Sequence, residues 1–281
     1  MFRYANELIF WVPMHAPAKT GTILDRIVES RLAAIDKGKR MIPEPVLRMT
    51  VRKAEAVRDF AAAISGDGIN VIAEMKKASP SLGVIRSDFE PVALAQALSS
   101  AGAAALSVLT EEEHFQGSLG YLRAARKAAP IPVLRKDFIV DAWQVWETRA
   151  GEADAFLLIV AILGDEQLRA LVAQAQELGL HALVEVHTRE ELQRALDAGA
   201  EIIGVNSRDL RTFEVRLETA LELVEHIPAE CIAVAESGIH SHADVQRLRA
   251  AGYDAFLVGE RLMKAANPGA ALRELLGTAA Q

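Results

Sequence analysis

The chain has 281 residues, 51% hydrophobic and 25% charged, the balance of a globular protein with a sizeable core. Its net charge of −7 argues against a nucleic-acid partner, whose footprint is a basic patch, but leaves room for a locally basic pocket. The single cysteine, Cys231, excludes an intrachain disulfide and a cysteine-based zinc cluster and suits a reducing cytoplasm, and no apolar run nears the ~18 residues of a membrane span.

Residues 1–16 open with MFRYANELIFWVPM, which has one early arginine and a short apolar patch but neither a signal-peptide core nor a cleavage site. They read as an N-terminal extension, with Met14 as an alternative start. In TGTILDRIVESRLAAIDKGKR, Ile23, Ile27, Leu32 and Ile35 fall on one helical face with charges opposite. VRKAEAVRDFAAAI predicts a second helix, so residues 20–66 form a helical segment ahead of residues 71–278. From residue 71 short apolar runs alternate with amphipathic stretches, as βα units do. The predicted strands are 71–75, 105–109, 132–136 and 155–160, then 182–186, 202–206, 232–236 and 255–259. Asp88, Glu90 and Pro91 mark a helix start, and Gly102, Gly179, Gly199 and Gly252 close helices. Eight uninterrupted units predict an α/β fold, a single closed (β/α)8 TIM barrel with an N-terminal helical extension. An open doubly wound sheet is the alternative, but KKASPSLG after the first strand matches neither a G-x-G-x-x-G loop nor a P-loop.

Charges inside these strands are informative, because side chains alternate between the barrel interior and the helices. Glu74 and Lys76 share a face; Lys136 ends the third strand, Glu185 interrupts ALVEV, and Asn206 ends the sixth with Arg208 two residues on. Glu236 and Ser237 end the seventh. All lie toward C-terminal strand ends, where barrel enzymes assemble their sites. Three cations and three anions there compensate one another; the competing reading is a purely structural ion-pair network. Gly238 follows the seventh strand and Gly259 the eighth, where backbone N–H groups of many barrels hold a phosphate.

Six stretches, IAEMKKASPS, LSVLTEEEHFQGS, LRKDFIVDAWQ, LLIVAIL, GVNSRDL and VAESGI, resemble the indole-3-glycerol-phosphate synthase family in order and spacing over roughly residues 20–275. That resemblance implies ring closure of 1-(2-carboxyphenylamino)-1-deoxyribulose 5-phosphate to indole-3-glycerol phosphate, with loss of CO2 and water, in tryptophan biosynthesis. It implies no metal or organic cofactor. It makes Lys136 the general acid on the ribulose carbonyl, with Glu185 and Lys76 serving the later proton transfers. Glu74 is implied as a partner of the lysines, and Asn206 as a hydrogen-bonding group for substrate. Arg208, aided by Ser79, suits the anthranilate carboxylate; Ser237, Gly238 and Gly259 suit the phosphate, with Glu236 beside them. Phe115, Phe138, Leu157 and Leu210 form the implied cradle for the aromatic ring. Phosphoribosylanthranilate isomerase, a related barrel chemistry, uses a Cys and an Asp where the first strand here offers Glu74 and Lys76.

The expected partner is a small anionic substrate, with no nucleic acid and no membrane, for a cytoplasmic monomer or weak homodimer. SPSLG, containing Pro80 and Gly83, is a candidate closing loop. TEEEH (110–114) reads as a solvated charge run with Glu111 near the pocket rim. The seven histidines, including His187, show no convincing metal-ligand spacing and read as structural or solvent-facing.

Overall fold

The structure, a computed structural model, describes residues 17–209, 212 and 214–278. The readings of residues 1–16 and of Leu210 therefore lie outside the described residues.

Helix α1 (Ile23–Met41) starts where the Thr22 side chain accepts the Leu24 N–H, and it buries Leu24, Ile27, Val28, Arg31 and Ile35. The predicted second helix is not continuous. A helix α2 (Glu44–Val51) precedes it, and only α3 (Phe60–Ile64) falls within its second half. The break has a tertiary cause. The Arg58 backbone N–H donates to Asp154, and its guanidinium donates to the carbonyls of Arg126, Ala129 and Ile131. The chain is pinned across the barrel there, and Asp59 then caps α3 through the Ala62 N–H.

The strands follow at the predicted places: β1 (Asn70–Met75), β2 (Ala105–Leu109), β3 (Val133–Lys136), β4 (Ala155–Ile159), β5 (His181–Val186), β6 (Ile202–Asn206), β7 (Ile232–Glu236) and β8 (Ala255–Val258). Each pairs in parallel with its sequence neighbours, and β8 returns to β1 with Asn70 opposite Ala255, closing the barrel. The connecting helices are α4 (Pro91–Ser100), α5 (Leu119–Ala128), α6 (Ala142–Ala150), α7 (Asp165–Glu177), α8 (Arg189–Asp197), α9 (Leu217–Val224) and α10 (His242–Ala251). After β8 come α11 (Glu260–Lys264) and α12 (Pro268–Leu276). The strand residues are almost wholly buried, because barrel side chains cover one face and helices the other. Within the loop after β1 lies a small antiparallel hairpin, Ala78–Ser79 against Gly83–Val84.

Residues on either side of Lys136 tie β3 to its surroundings. Arg135 is buried beneath α6, donating to Glu147 and Thr148 of that helix and to Asp137. Asp137 also accepts from Thr110 and from Arg31 of α1. The first helix is thus bonded to the residue next to Lys136.

Candidate active site

A cavity of about 490 Å3 opens at the C-terminal ends of the strands. Glu74, Lys76, Lys136 and Glu185 all line it, as do Asn206, Arg208, Glu236, Ser237, Gly238 and Gly259. Ser79, Phe115, Phe138 and Leu157 complete the expected set, apart from Leu210. Helix α1 adds a wall that sequence reading did not anticipate, through Ile23, Leu24 and Ile27.

Lys136 is the electrostatic centre. Its Nζ lies 2.5 Å from Glu236 Oε2 and 3.2 Å from Glu185 Oε2. Burial opposes its charge, but Glu236, Glu185 and Glu74 outweigh that cost and raise its pKa, so the ammonium form is held. Lys76 Nζ pairs with Glu74 Oε1 at 2.6 Å. Burial alone would raise the Glu74 and Glu185 carboxyls. Lys76 and Lys136 reverse the effect at Glu74; Lys136, His187 and the Asn206 hydrogen bond reverse it at Glu185. Glu236 behaves differently: burial, opposed by Lys136 and reinforced by Glu185 and Glu74, pushes its carboxyl up to about 7. Its Oε1 has no hydrogen-bond partner among the described residues.

Two glycines make room for these carboxylates. A Cβ at Gly204 on β6 would overlap Glu236 Oε1, and one at Gly259 would overlap Glu74 Oε1. Gly259 was expected to admit a phosphate; its missing side chain already accommodates Glu74. Ser237 (φ 66) and Gly238 (φ 76) are successive left-handed residues at the turn after β7. Such backbone is strained for serine, and the Ser237 hydroxyl secures it by donating to Asn206 Oδ1 at 2.9 Å. Asn206 in turn donates to Glu185 Oε1 at 3.2 Å. Arg208 approaches Glu260 Oε2 at 3.6 Å, and Lys264 holds that same carboxylate at 2.6 Å. The apolar side is formed by Phe115 and Phe138, with ring centroids 6.0 Å apart, and by Leu157.

Three acidic or basic residues near the mouth depart from the sequence reading or were missed by it. Glu111 is not part of a solvated run: it is 1% exposed and accepts the N–H groups of Glu113, His114 and Phe115. It shapes the loop that presents Phe115. His187 lies against the site's carboxylates, with its Nε2 3.4 Å from Glu185 Oε1. Glu260 lines the cavity beside the turn expected to hold phosphate. No local spacing in the sequence marks these roles; each depends on where a loop folds back. Among the described residues, no group of three or more His, Cys, Asp or Glu could hold a metal ion. No helix among them is long and apolar enough to cross a membrane.

A closed parallel barrel with ionised side chains converging on its C-terminal mouth defines a (β/α)8-barrel enzyme. Solved structures agree on the fold: 3-hexulose-6-phosphate synthase superposes with a TM-score of 0.60 at 18% identity, covering 75% of this chain and all (100%) of that one. The family is defined by sequence. The model of the indole-3-glycerol phosphate synthase family matches residues 24–275, and the chain belongs to that family. A relative named indole-3-glycerol phosphate synthase from Acidithiobacillus ferrooxidans is 60% identical over 205 residues, covering 73% of this chain and 78% of the relative. Another of that name, from Albidiferax ferrireducens, is 48% identical over 261 residues, covering 92% and 99%.

Proposed function

We propose that the chain converts 1-(2-carboxyphenylamino)-1-deoxyribulose 5-phosphate to indole-3-glycerol phosphate, CO2 and water, as a carboxy-lyase of tryptophan biosynthesis. The observation that carries the chemistry is the Lys136 ammonium, held between Glu185 and Glu236 in a cavity whose other side is apolar. The aromatic ring rests against Phe115, Phe138 and Leu157, Arg208 and Ser79 take the carboxylate, and Ser237, Gly238 and Gly259 take the phosphate with Lys76 in reach. Confining both reacting carbons in one cavity supplies much of the acceleration.

Lys136 gives a proton to the ribulose carbonyl oxygen as the ring carbon bearing the carboxylate attacks the carbonyl carbon. The C–CO2 bond then breaks, its electron pair restores the aromatic ring, and CO2 leaves. The new hydroxyl departs as water after a second protonation, and loss of a proton from the adjacent CH2 completes the indole. Glu185 and Lys76 serve these last transfers, while Glu74 holds Lys76 in position through their ion pair. Asn206 hydrogen-bonds the oxygen being expelled. The single cysteine supports a cytoplasmic setting and the net negative charge an enzyme without nucleic acid; it acts as a monomer or weak homodimer. No step calls for a cofactor.

The product's indole fluoresces unlike the substrate. Purified protein given the carboxyphenylamino compound is expected to show emission rising with time. A flat trace from folded protein rejects this reading.

A further inference from the structure

The reaction proposed above is not proton-neutral. Two protons reach the substrate oxygen and one leaves a carbon, so each turnover of the substrate carboxylate consumes one proton. A cavity filled by substrate must still admit it.

A contiguous set of polar atoms leads outward from Lys136. Its Nζ is 3.2 Å from Glu185 Oε2. Glu185 Oε1 is 3.4 Å from His187 Nε2, which has no aligned hydrogen-bond partner among the described residues. His187 Nδ1 is 3.1 Å from Glu191 Oε2, which also accepts the His187 backbone N–H at 2.7 Å. Glu191 sits in the first turn of α8, positioned by the Thr188 cap. His187 and Glu191 line a second cavity of about 580 Å3 on the β5–β6 side. The two cavities share Asn206 and Arg208 in their walls. Facing the imidazole are Glu185 from β5, Glu191 from α8 and Glu236 from β7; Lys19, Arg194 and Arg208 line the cavity beyond.

We infer that Glu191, His187 and Glu185 form a proton relay that recharges Lys136 from the second cavity, with His187 as its carrier and Glu191 as its positioning residue. The inference rests on the roles proposed for Lys136 and Glu185. The imidazolium gives its Nε2 proton to Glu185 Oε1, and Glu185 passes a proton from Oε2 to the neutral Lys136 amine. The imidazole, now neutral, turns about Cβ–Cγ to present its bare nitrogen to the second cavity, where water returns the proton. One proton enters and one is consumed. Burial disfavours the charged ring, but the Glu191 hydrogen bond and the three carboxylates overcome this and raise its pKa.

The test is His187→Gln, which keeps a polar group but cannot take up and release a proton near neutral pH. Direct acid–base groups contribute about 10²–10⁴-fold, and one acting at a remove is expected to lower steady-state kcat about tenfold, with KM within about twofold. With enzyme in excess, the first turnover keeps the parent rate, because the site begins loaded. Added imidazole restores the steady-state rate. Glu191→Gln is expected to show the same pattern more weakly, and it carries the test if His187→Gln fails to fold. Unchanged kcat overturns the relay. So does an equal loss in first and later turnovers without rescue by imidazole, which is the signature of a merely structural role. Parent enzyme that forms no indole product rejects the proposed function itself, and the relay with it.

Discussion

Glu74, Glu185 and Glu236 surround one ammonium, yet their carboxyls shift in different directions. Glu74 and Glu185 gain compensating partners and go down, whereas Glu236 keeps one oxygen unpartnered against Gly204 and rises to about 7. Binding a multiply charged anion nearby raises that carboxyl further, so binding takes up a proton. By linkage, affinity falls as pH rises through about 7. Glu236→Gln removes that titration. The wild-type minus variant difference in the affinity of a product analogue, measured by calorimetry from pH 5.5 to 8.5, is expected to fall as pH rises through about 7, and a flat difference rejects Glu236 as the titrating group. At Lys136, alanine is expected to abolish turnover while substrate affinity stays within about tenfold, and arginine is expected to fail too, because a guanidinium does not give up a proton near neutral pH. Equal activity in parent and either variant rejects Lys136 as the acid. The charged positions were legible because each interrupts an apolar run at a strand end. His187 was not: one histidine after a strand reads the same whether it faces solvent or a buried carboxylate.

At the level of elements, the strand pattern was readable because a barrel strand is buried on both faces and is punctuated by turns. Residues 51–64 were misread because helical spacing is a local signal, whereas the bonds from Arg58 to Asp154 and to three carbonyls are tertiary. Gly204 was likewise silent in the sequence. On β6 it points inward, and the space above it holds the Glu236 carboxylate. Gly204→Ala is expected to displace that flexible side chain rather than the backbone. We therefore expect kcat to fall at least about tenfold while stability changes by only about 1 kcal/mol, within the ordinary range of point substitutions. Thermal melts alongside the fluorescence assay separate these effects, and a variant with full activity rejects the packing account. The hairpin after β1 escaped notice because its two-residue arms are too short to carry a period.

For the molecule as a whole, the buried carboxylates pull its pH stability in two directions. Asp137, Glu74 and Glu185 have depressed pKa values in the fold, so their contribution is present above the ordinary carboxylate range of about 4 and is lost as pH falls through the folded values. Glu236 is raised, so its contribution is present below that range and is lost as pH rises toward about 7. Tm is expected to climb from acid to about pH 5 and to decline between there and about pH 7. Glu236→Gln is expected to flatten the decline and leave the acid limb. A decline of equal slope in the variant assigns it elsewhere.

The pairing of Asn70 with Ala255 has a further consequence during synthesis. The first strand of the ring finds its second neighbour only when the last strand has emerged from the ribosome, and Gly259 meets Glu74 at that same moment. Long-range closures of this kind come late and carry a large loop-closure entropy. A nascent chain without β8 is therefore expected to lack the closed ring, and competence is expected only once that strand has been made.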